Sequence, residues 1–168
     1  MRLIIKGRVW KFGDNISTDH IIPGRYFYLR GNINELAKHT FEDIRPDFVK
    51  KVKPNDIVVG GYNFGMGSSR EHAVLVLKVL GIGAIIARSF ARIFYRNAFN
   101  LGIPAIIADT TDINEGETLE IHLDKGVVIS TTRDVVIRFN PIPPIMMKIL
   151  KEGGIIRYVL KYNDLPSR

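Results

Sequence analysis

Apolar and polar positions alternate through the first dozen residues, MRLIIKGRVWKF, where β-branched and aromatic side chains are frequent. Residues 2–12 read as a strand or hairpin. The next stretch, GDNISTDHIIPGRYFYLRGN, is polar without periodicity and reads as a long loop. INELAKHTF has the spacing of a short helix, with Asn32 or Asn34 as its cap. DFVKKVKPND passes through a Pro-Asn-Asp turn into DIVVGGYNF, a short apolar strand closed by Gly60-Gly61. AVLVLKVLG is apolar nearly all round and predicts a mostly buried helix stopped at Gly81. GAIIARS is a strand, FARIFYRNAFNLG a helix ending at Gly102, and IPAIIAD a further strand.

The order from Gly60 to Asp109 is strand, helix, strand, helix, strand, which argues for a parallel βαβαβ sheet. Beyond it, EGETLEIHL, GVVISTT and RDVVIRF alternate between tight turns and predict antiparallel strands. The tail PPIMMKILKEGGIIRYVLKY is helical, broken at Gly153-Gly154. The expected architecture is α/β, with a central parallel βαβαβ unit joined by antiparallel strands from both ends in layers of sheet and helix. No repeat or long linker divides residues 1–168, so one domain is expected.

Composition removes several function classes. No apolar run reaches the roughly 18 residues of a membrane span, and the charged N-terminus carries no secretory pattern, so no membrane association and a cytoplasmic location are expected. Without that signal, the sequon Asn15-Ile16-Ser17 reads as chance. The chain has no cysteine, which excludes a thiol nucleophile, a disulfide or a cysteine-held cluster within it. Its four histidines show no metal-ligand spacing, so no metal is expected in this chain. The net charge of +7 is spread along the sequence rather than clustered, and no nucleic-acid motif appears. A carboxylate ligand or a solvated basic surface fits better than nucleic acid.

The chemistry concentrates in GGYNFGMGSSREHAVLVLKVLG, Gly60 to Gly81, where four glycines fall within eight residues before a serine pair, an arginine and a helix. Glycines let a backbone come close to a ligand, and a helix start presents free N–H groups and partial positive charge. Arg70 adds a planar fork suited to carboxylate or phosphate, with Ser68 and Ser69 beside it. Gly65-Met66-Gly67-Ser68-Ser69-Arg70 lacks both the lysine of a phosphate loop and the third glycine of a dinucleotide loop. A small anion- or nucleotide-binding module therefore stands as an alternative. So does the bland arrangement in which Ser69 caps the helix while Arg70 and Glu71 are surface charges.

GDNISTDHI and GSSREHA, followed by SFARIFYRNAFNLGIPAI, resemble the swivel domain of the aconitase superfamily over nearly the whole chain. At this length the chain is similar to the stand-alone small subunits of 3-isopropylmalate dehydratases and homoaconitases. The resemblance implies a swivelling β/β/α layered domain that works only with a large subunit, which carries a [4Fe–4S] cluster. It implies a hydro-lyase reaction that isomerises 2-isopropylmalate to 3-isopropylmalate by dehydration and rehydration, a step of leucine biosynthesis. Homocitrate, or both substrates, is the alternative.

By the same resemblance Ser68 is the base, and Ser69, Arg70, Thr18 and Asp19 bind substrate. His20, Gly65, Gly67, Glu71 and His72 support the site. The loop after Thr18-Asp19-His20 would read the variable end of the substrate, through Tyr28, Leu29, Arg30 and Gly31. Arg30 resembles the arginine of homoaconitase loops, where it would meet a distal carboxylate, and Gly31 departs from the threonine common there. Arg25 is a rival carboxylate contact. The loop is expected to order only with partner and substrate, and whether isolated small subunits self-associate is left open.

Outside these motifs the residues read more blandly. Ser89 suits the cap of the second helix, and Arg92 and Arg96, one turn apart, should meet carboxylates. Phe90, Phe94, Tyr95 and Phe99 predict core or interface, and His39 and His122 surface.

Overall fold

Residues 4–166 are described by a computed structural model. β1 (Ile4–Lys11), β2 (Ile57–Val59), β3 (Ala84–Ala87) and β4 (Ala105–Ile107) run parallel, with Val9 opposite Ile57, Ile57 opposite Ala84 and Ile85 opposite Ala105. β2 and β3 are buried along their whole length, which is why they read as unbroken apolar runs rather than alternating ones. β5 (Thr118–His122), β6 (Val127–Ser130) and β7 (Val136–Arg138) continue antiparallel from the other edge of β1. The result is one seven-stranded mixed sheet in the order β4-β3-β2-β1-β5-β6-β7.

The N-terminal segment is a single strand, not a hairpin; expected residues 2–3 lie outside the described range. It is antiparallel to β5, as foreseen, but parallel to β2. β1 therefore belongs to both halves of the sheet, because its two edges face strands arriving by different connections.

The polar stretch 13–32 holds more structure than its lack of periodicity predicted. α1 (Thr18–Ile21) is one turn closed by a reciprocal cap: Ser17 Oγ accepts from His20 N at 3.1 Å, and His20 Nδ1 accepts from Ser17 N at 3.0 Å. Histidine thus takes the place usually held by glutamate in such a box. A 3-10 coil follows over Gly24–Gly31, then α2 (Ile33–Ala37), capped by Asn32 Oδ1 accepting from Glu35 N. α3 (Phe48–Lys51) is a further turn that the sequence pattern did not announce.

α4 (His72–Val79) and α5 (Arg92–Asn100) are the crossovers between the parallel strands. α6 (Pro144–Lys151) opens on a proline at its first position, and α7 (Ile155–Tyr162) ends at Asn163 in the left-handed region. Ser89 does not cap α5. Ala91 stands at that position, and Ser89 Oγ instead accepts from Asn63 N at 2.8 Å, tying the glycine turn to the end of β3.

An aromatic group anchors the core beside β1. Trp10 and Phe48 meet edge to face at 4.9 Å, and Phe12 stacks on Phe41 at 4.2 Å. Trp10 Nε1 donates to Asp56 Oδ2 at 2.8 Å, so the indole is buried without an orphan donor. Two histidines expected at the surface are not there. His39 is half-buried, stacked on Tyr26 at 3.6 Å and paired with Glu42. His122 is buried in β5, with Nε2 against Glu120 Oε1 at 2.7 Å.

On the antiparallel half, Glu117 is buried and accepts from Ser130 Oγ at 2.7 Å, Arg133 Nε at 3.1 Å and Asn114 N at 2.5 Å. Burial pushes this carboxyl up, but Arg133, Ser130 and the Asn114 N–H outweigh it and hold it below its ordinary 4.5. A depressed folded value stabilises the fold fully above the unfolded value and is lost as pH falls through the folded one. Melting temperature is therefore expected to drop below about pH 4.5, and Glu117→Gln should flatten that drop while lowering stability at neutral pH by roughly 1–3 kcal/mol. A melting series from pH 7 to pH 3 on both proteins checks it; parallel curves would show that Glu117 is not the acid-sensitive group.

Candidate active site

Two chain segments far apart in sequence are stitched together at the end of the parallel strands. Gly65 N donates to Ile16 O at 2.7 Å, and Thr18 N donates to Met66 O at 2.8 Å. A bridge pairs Ser17 with Met66, and another pairs Phe64 with Phe90. Gly65 at φ +79° and Gly67 at φ +103° bend the chain between these contacts, a conformation that side-chain-bearing residues rarely adopt. The bend delivers Ser68 against Thr18.

The hydrogen bonds converge on one atom. Ser68 Oγ accepts from Arg70 Nε at 2.6 Å and from Arg70 N at 3.2 Å, and Thr18 Oγ1 points at it from 3.5 Å. Thr18 is itself buried, and its Oγ1 accepts from Ser68 N at 3.1 Å. Arg70 is held at its other end by Asp19, Nη2 to Oδ1 at 2.6 Å. Donors thus surround an oxygen that an ordinary serine would share with water, which favours its ionised form. The source of the positive field differs from the sequence expectation. α4 begins only at His72, so the stabilising groups are the Arg70 side chain and its own N–H rather than the helix end.

Phe27 was not foreseen as part of the site. The Arg70 and Arg30 guanidinium groups stand over its ring at 5.1 and 5.4 Å from the centroid, and the His72 ring meets it edge-on at 5.3 Å. The signal was available: Phe27 is the middle of three consecutive aromatics, Tyr26-Phe27-Tyr28, between Arg25 and Arg30. Phe27 brings Arg30 to the side of Arg70, and Arg30 meets no carboxylate among the described residues. Arg25, the rival contact, is occupied: its guanidinium binds Asp43 at 2.5 and 2.8 Å and Glu42 at 3.2 Å, and these acidic partners hold its pKa above the ordinary arginine value. That pairing, with Tyr26 donating to Glu42 at 2.7 Å, ties down the first turn of the 3-10 coil.

The remaining sequence candidates fall nearby with less to do. Ser69 and Glu71 are exposed and make no side-chain hydrogen bond among the described residues, so Ser69 does not cap α4. His20 serves the α1 cap, Tyr28 is 73% exposed, and Leu29 packs against the core. A side chain added at Gly31 would meet nothing, so the backbone does not require glycine there. Arg92 and Arg96 form no ion pair among the described residues. Instead they line, with Ser68, a cavity of 430 Å³. Among the described residues no group of three acidic or histidine side chains could hold a metal, and no helix is long and apolar enough to cross a membrane.

Comparison with known proteins fits this geometry. The Aconitase C-terminal domain family matches residues 30–109. The chain is 60% identical over 159 residues to the 3-isopropylmalate dehydratase small subunit 2 of Archaeoglobus fulgidus, covering 95% of this chain and 96% of that one. It is 52% identical over 163 residues to the isopropylmalate/citramalate isomerase small subunit of Methanocaldococcus jannaschii, covering 96% of each. The crystal structure of a 3-isopropylmalate dehydratase from that organism matches with a TM-score of 0.90 at 48% identity, over 95% of both chains.

The mixed sheet and the family match over residues 30–109 point to the C-terminal-domain class of the aconitase superfamily. Within it, the chain belongs to the family of 3-isopropylmalate dehydratase small subunits. The small-subunit name implies a large-subunit partner. These relatives carry the isopropylmalate name, and the homoaconitase alternative raised by Arg30 finds no support among them. The nucleotide-module alternative gives way as well.

Proposed function

We propose that this chain, acting as one domain on a cluster-bearing large subunit, supplies the base and carboxylate-binding groups for interconversion of 2-isopropylmalate and 3-isopropylmalate. The observation that carries this reading is the convergence of Arg70 Nε, Arg70 N and Thr18 Oγ1 on Ser68 Oγ. A serine so surrounded can take a weakly acidic C–H proton from the carbon next to the hydroxyl-bearing carbon. The C–H electron pair becomes the new double bond, hydroxide leaves, and water returns with the positions of H and OH exchanged. No net oxidation occurs. Ser68 then gives its proton back to the carbon that lost hydroxide.

A chain without cysteine, and without a three-ligand cluster among its described residues, does not suit an iron–sulfur group of its own. The group fits the partner, where iron would act as Lewis acid for the leaving hydroxide. Within this chain, Asp19 orients Arg70, and Arg70 and Ser69 face the substrate carboxylate. Leu29 and Tyr28 bound the variable end of the substrate, with Arg30 beside them on Phe27. Soluble, cytoplasmic operation follows from such a metabolic role.

Anaerobic reconstitution with a large subunit tests the reading. Activity on isopropylmaleate is expected from the pair and none from the isolated chain; an active isolated chain would overturn the assignment. Arg30→Ala adds a specificity arm. Its removal is expected to change isopropylmaleate turnover by less than about threefold, while any residual activity on a substrate with a distal carboxylate falls by about tenfold or more. Equal loss on both would place Arg30 in common binding instead.

A further inference from the structure

Five arginines of this fold are occupied. Arg25, Arg45, Arg88 and Arg133 are each paired with a carboxylate, and Arg70 is held between Ser68 and Asp19. Arg92 and Arg96 are not. They sit one turn apart on α5, exposed, with no ion pair or hydrogen bond among the described residues. Like charges at this spacing repel and weaken a helix. No acidic side chain among the described residues pairs with them, as one does for Arg25, Arg45, Arg88 and Arg133. Both line the cavity of 430 Å³ whose lining also includes Ser68, Gly65, Gly67 and Ile93.

A dicarboxylate brings two anionic ends into a site of this size. Arg70 can answer one of them only in part, since its Nε and Nη2 already donate to Ser68 and Asp19. Two further guanidinium groups facing the same cavity supply what the second end needs: planar donors that match carboxylate oxygens, in a place where no protein carboxylate competes. We propose that Arg92 and Arg96 together clamp one carboxylate of the substrate inside the Ser68 cavity. This rests on the hydro-lyase reading above. The apolar Ile93 between them offers no rival acceptor.

The Arg92→Gln/Arg96→Gln double variant, assayed in the reconstituted complex, is expected to raise KM for isopropylmalate by about tenfold or more. Turnover at saturation should stay within about threefold of wild type, as for a group that binds ground and transition states alike. Lysine at both positions should recover only part of the loss, because an ammonium lacks the fork. Arg138→Gln, on exposed β7, controls for lost charge and should behave as wild type. Affinity for the large subunit is measured alongside. An unchanged KM in the double variant overturns the clamp. Weakened subunit association with a normal KM at saturating large subunit also overturns it, and assigns the pair to the subunit interface. A wild-type complex without isomerase activity would remove the parent reading and this one with it. Both side chains are exposed, so misfolding is not expected; were the double variant unstable, Arg96→Gln alone carries the same test.

Discussion

Ser68→Ala is expected to lower turnover of the reconstituted complex by about 10²- to 10⁴-fold, the range for loss of a positioned proton-transfer group. The fold should survive. Ser68 is half-buried and its side chain is small, so the change in stability should stay within about 1 kcal/mol. Arg70 would lose the acceptor for its Nε but keep Asp19, so the cationic floor of the site remains near its place. Substrate binding should therefore change less than turnover, and the loss should fall on kcat.

Exchange provides a second readout. In deuterated water, wild type should build deuterium into isopropylmalate as the proton held on Ser68 exchanges with solvent before its return, and Ser68→Ala should not. Thr18→Val, which keeps the shape and removes the hydroxyl, should give an intermediate loss, since its contact to Ser68 Oγ is the longest of the three at 3.5 Å. If Ser68→Ala turns over and exchanges at near wild-type rates, the donor ring is structural and the base lies elsewhere.

The parallel strands were legible because burial on both faces leaves only apolar residues to write, as in Ile57-Val58-Val59 and Ala84–Ala87. The glycine turn was legible for a similar reason, since few residues tolerate its backbone. What escaped depends on contacts between distant segments. Ser89 reads as a cap because its hydroxyl can accept a hydrogen bond, but it accepts from Asn63, placed there by the Phe64–Phe90 bridge. Arg92 and Arg96 have the spacing that usually finds carboxylates, yet the cavity they line offers only glycine, serine, alanine and isoleucine beside them. His122 looked like a surface residue, but β5 is flanked by strands on both edges and both Ile121 and His122 are buried. Thr18-Asp19-His20 was legible as chemistry through its resemblance. Its local fold was not, because a one-turn helix capped by histidine leaves no periodic signal.

Gly65→Ala should cost more stability than any other single-methyl addition at the site, about 2–5 kcal/mol from left-handed backbone strain and overpacking together. Gly65 holds φ at +79°, and a Cβ there would fall 2.1 Å from Phe94 Cγ and 2.5 Å from Phe94 Cβ. Phe94 cannot swing aside, because it is 2% exposed and wedged against Phe64 at 5.5 Å and Phe90 at 6.3 Å. The strain must pass into the turn, which carries Ser68 three residues on. A displacement of even about 1 Å at a reacting atom is enough for a 10²-fold loss, so activity should fall along with stability. Phe94→Leu in the Gly65→Ala background separates the two causes. Leucine opens space for the methyl but does nothing for the backbone, so part of the stability should return, with a favourable coupling in the double-mutant cycle. Gly31→Ala is the opposite case: a Cβ there meets nothing, and stability should stay within about 0.5 kcal/mol. Should Gly65→Ala melt with wild type, the close approach of the turn to α5 would be wrong, and with it the placement of Ser68 beside Arg92 and Arg96.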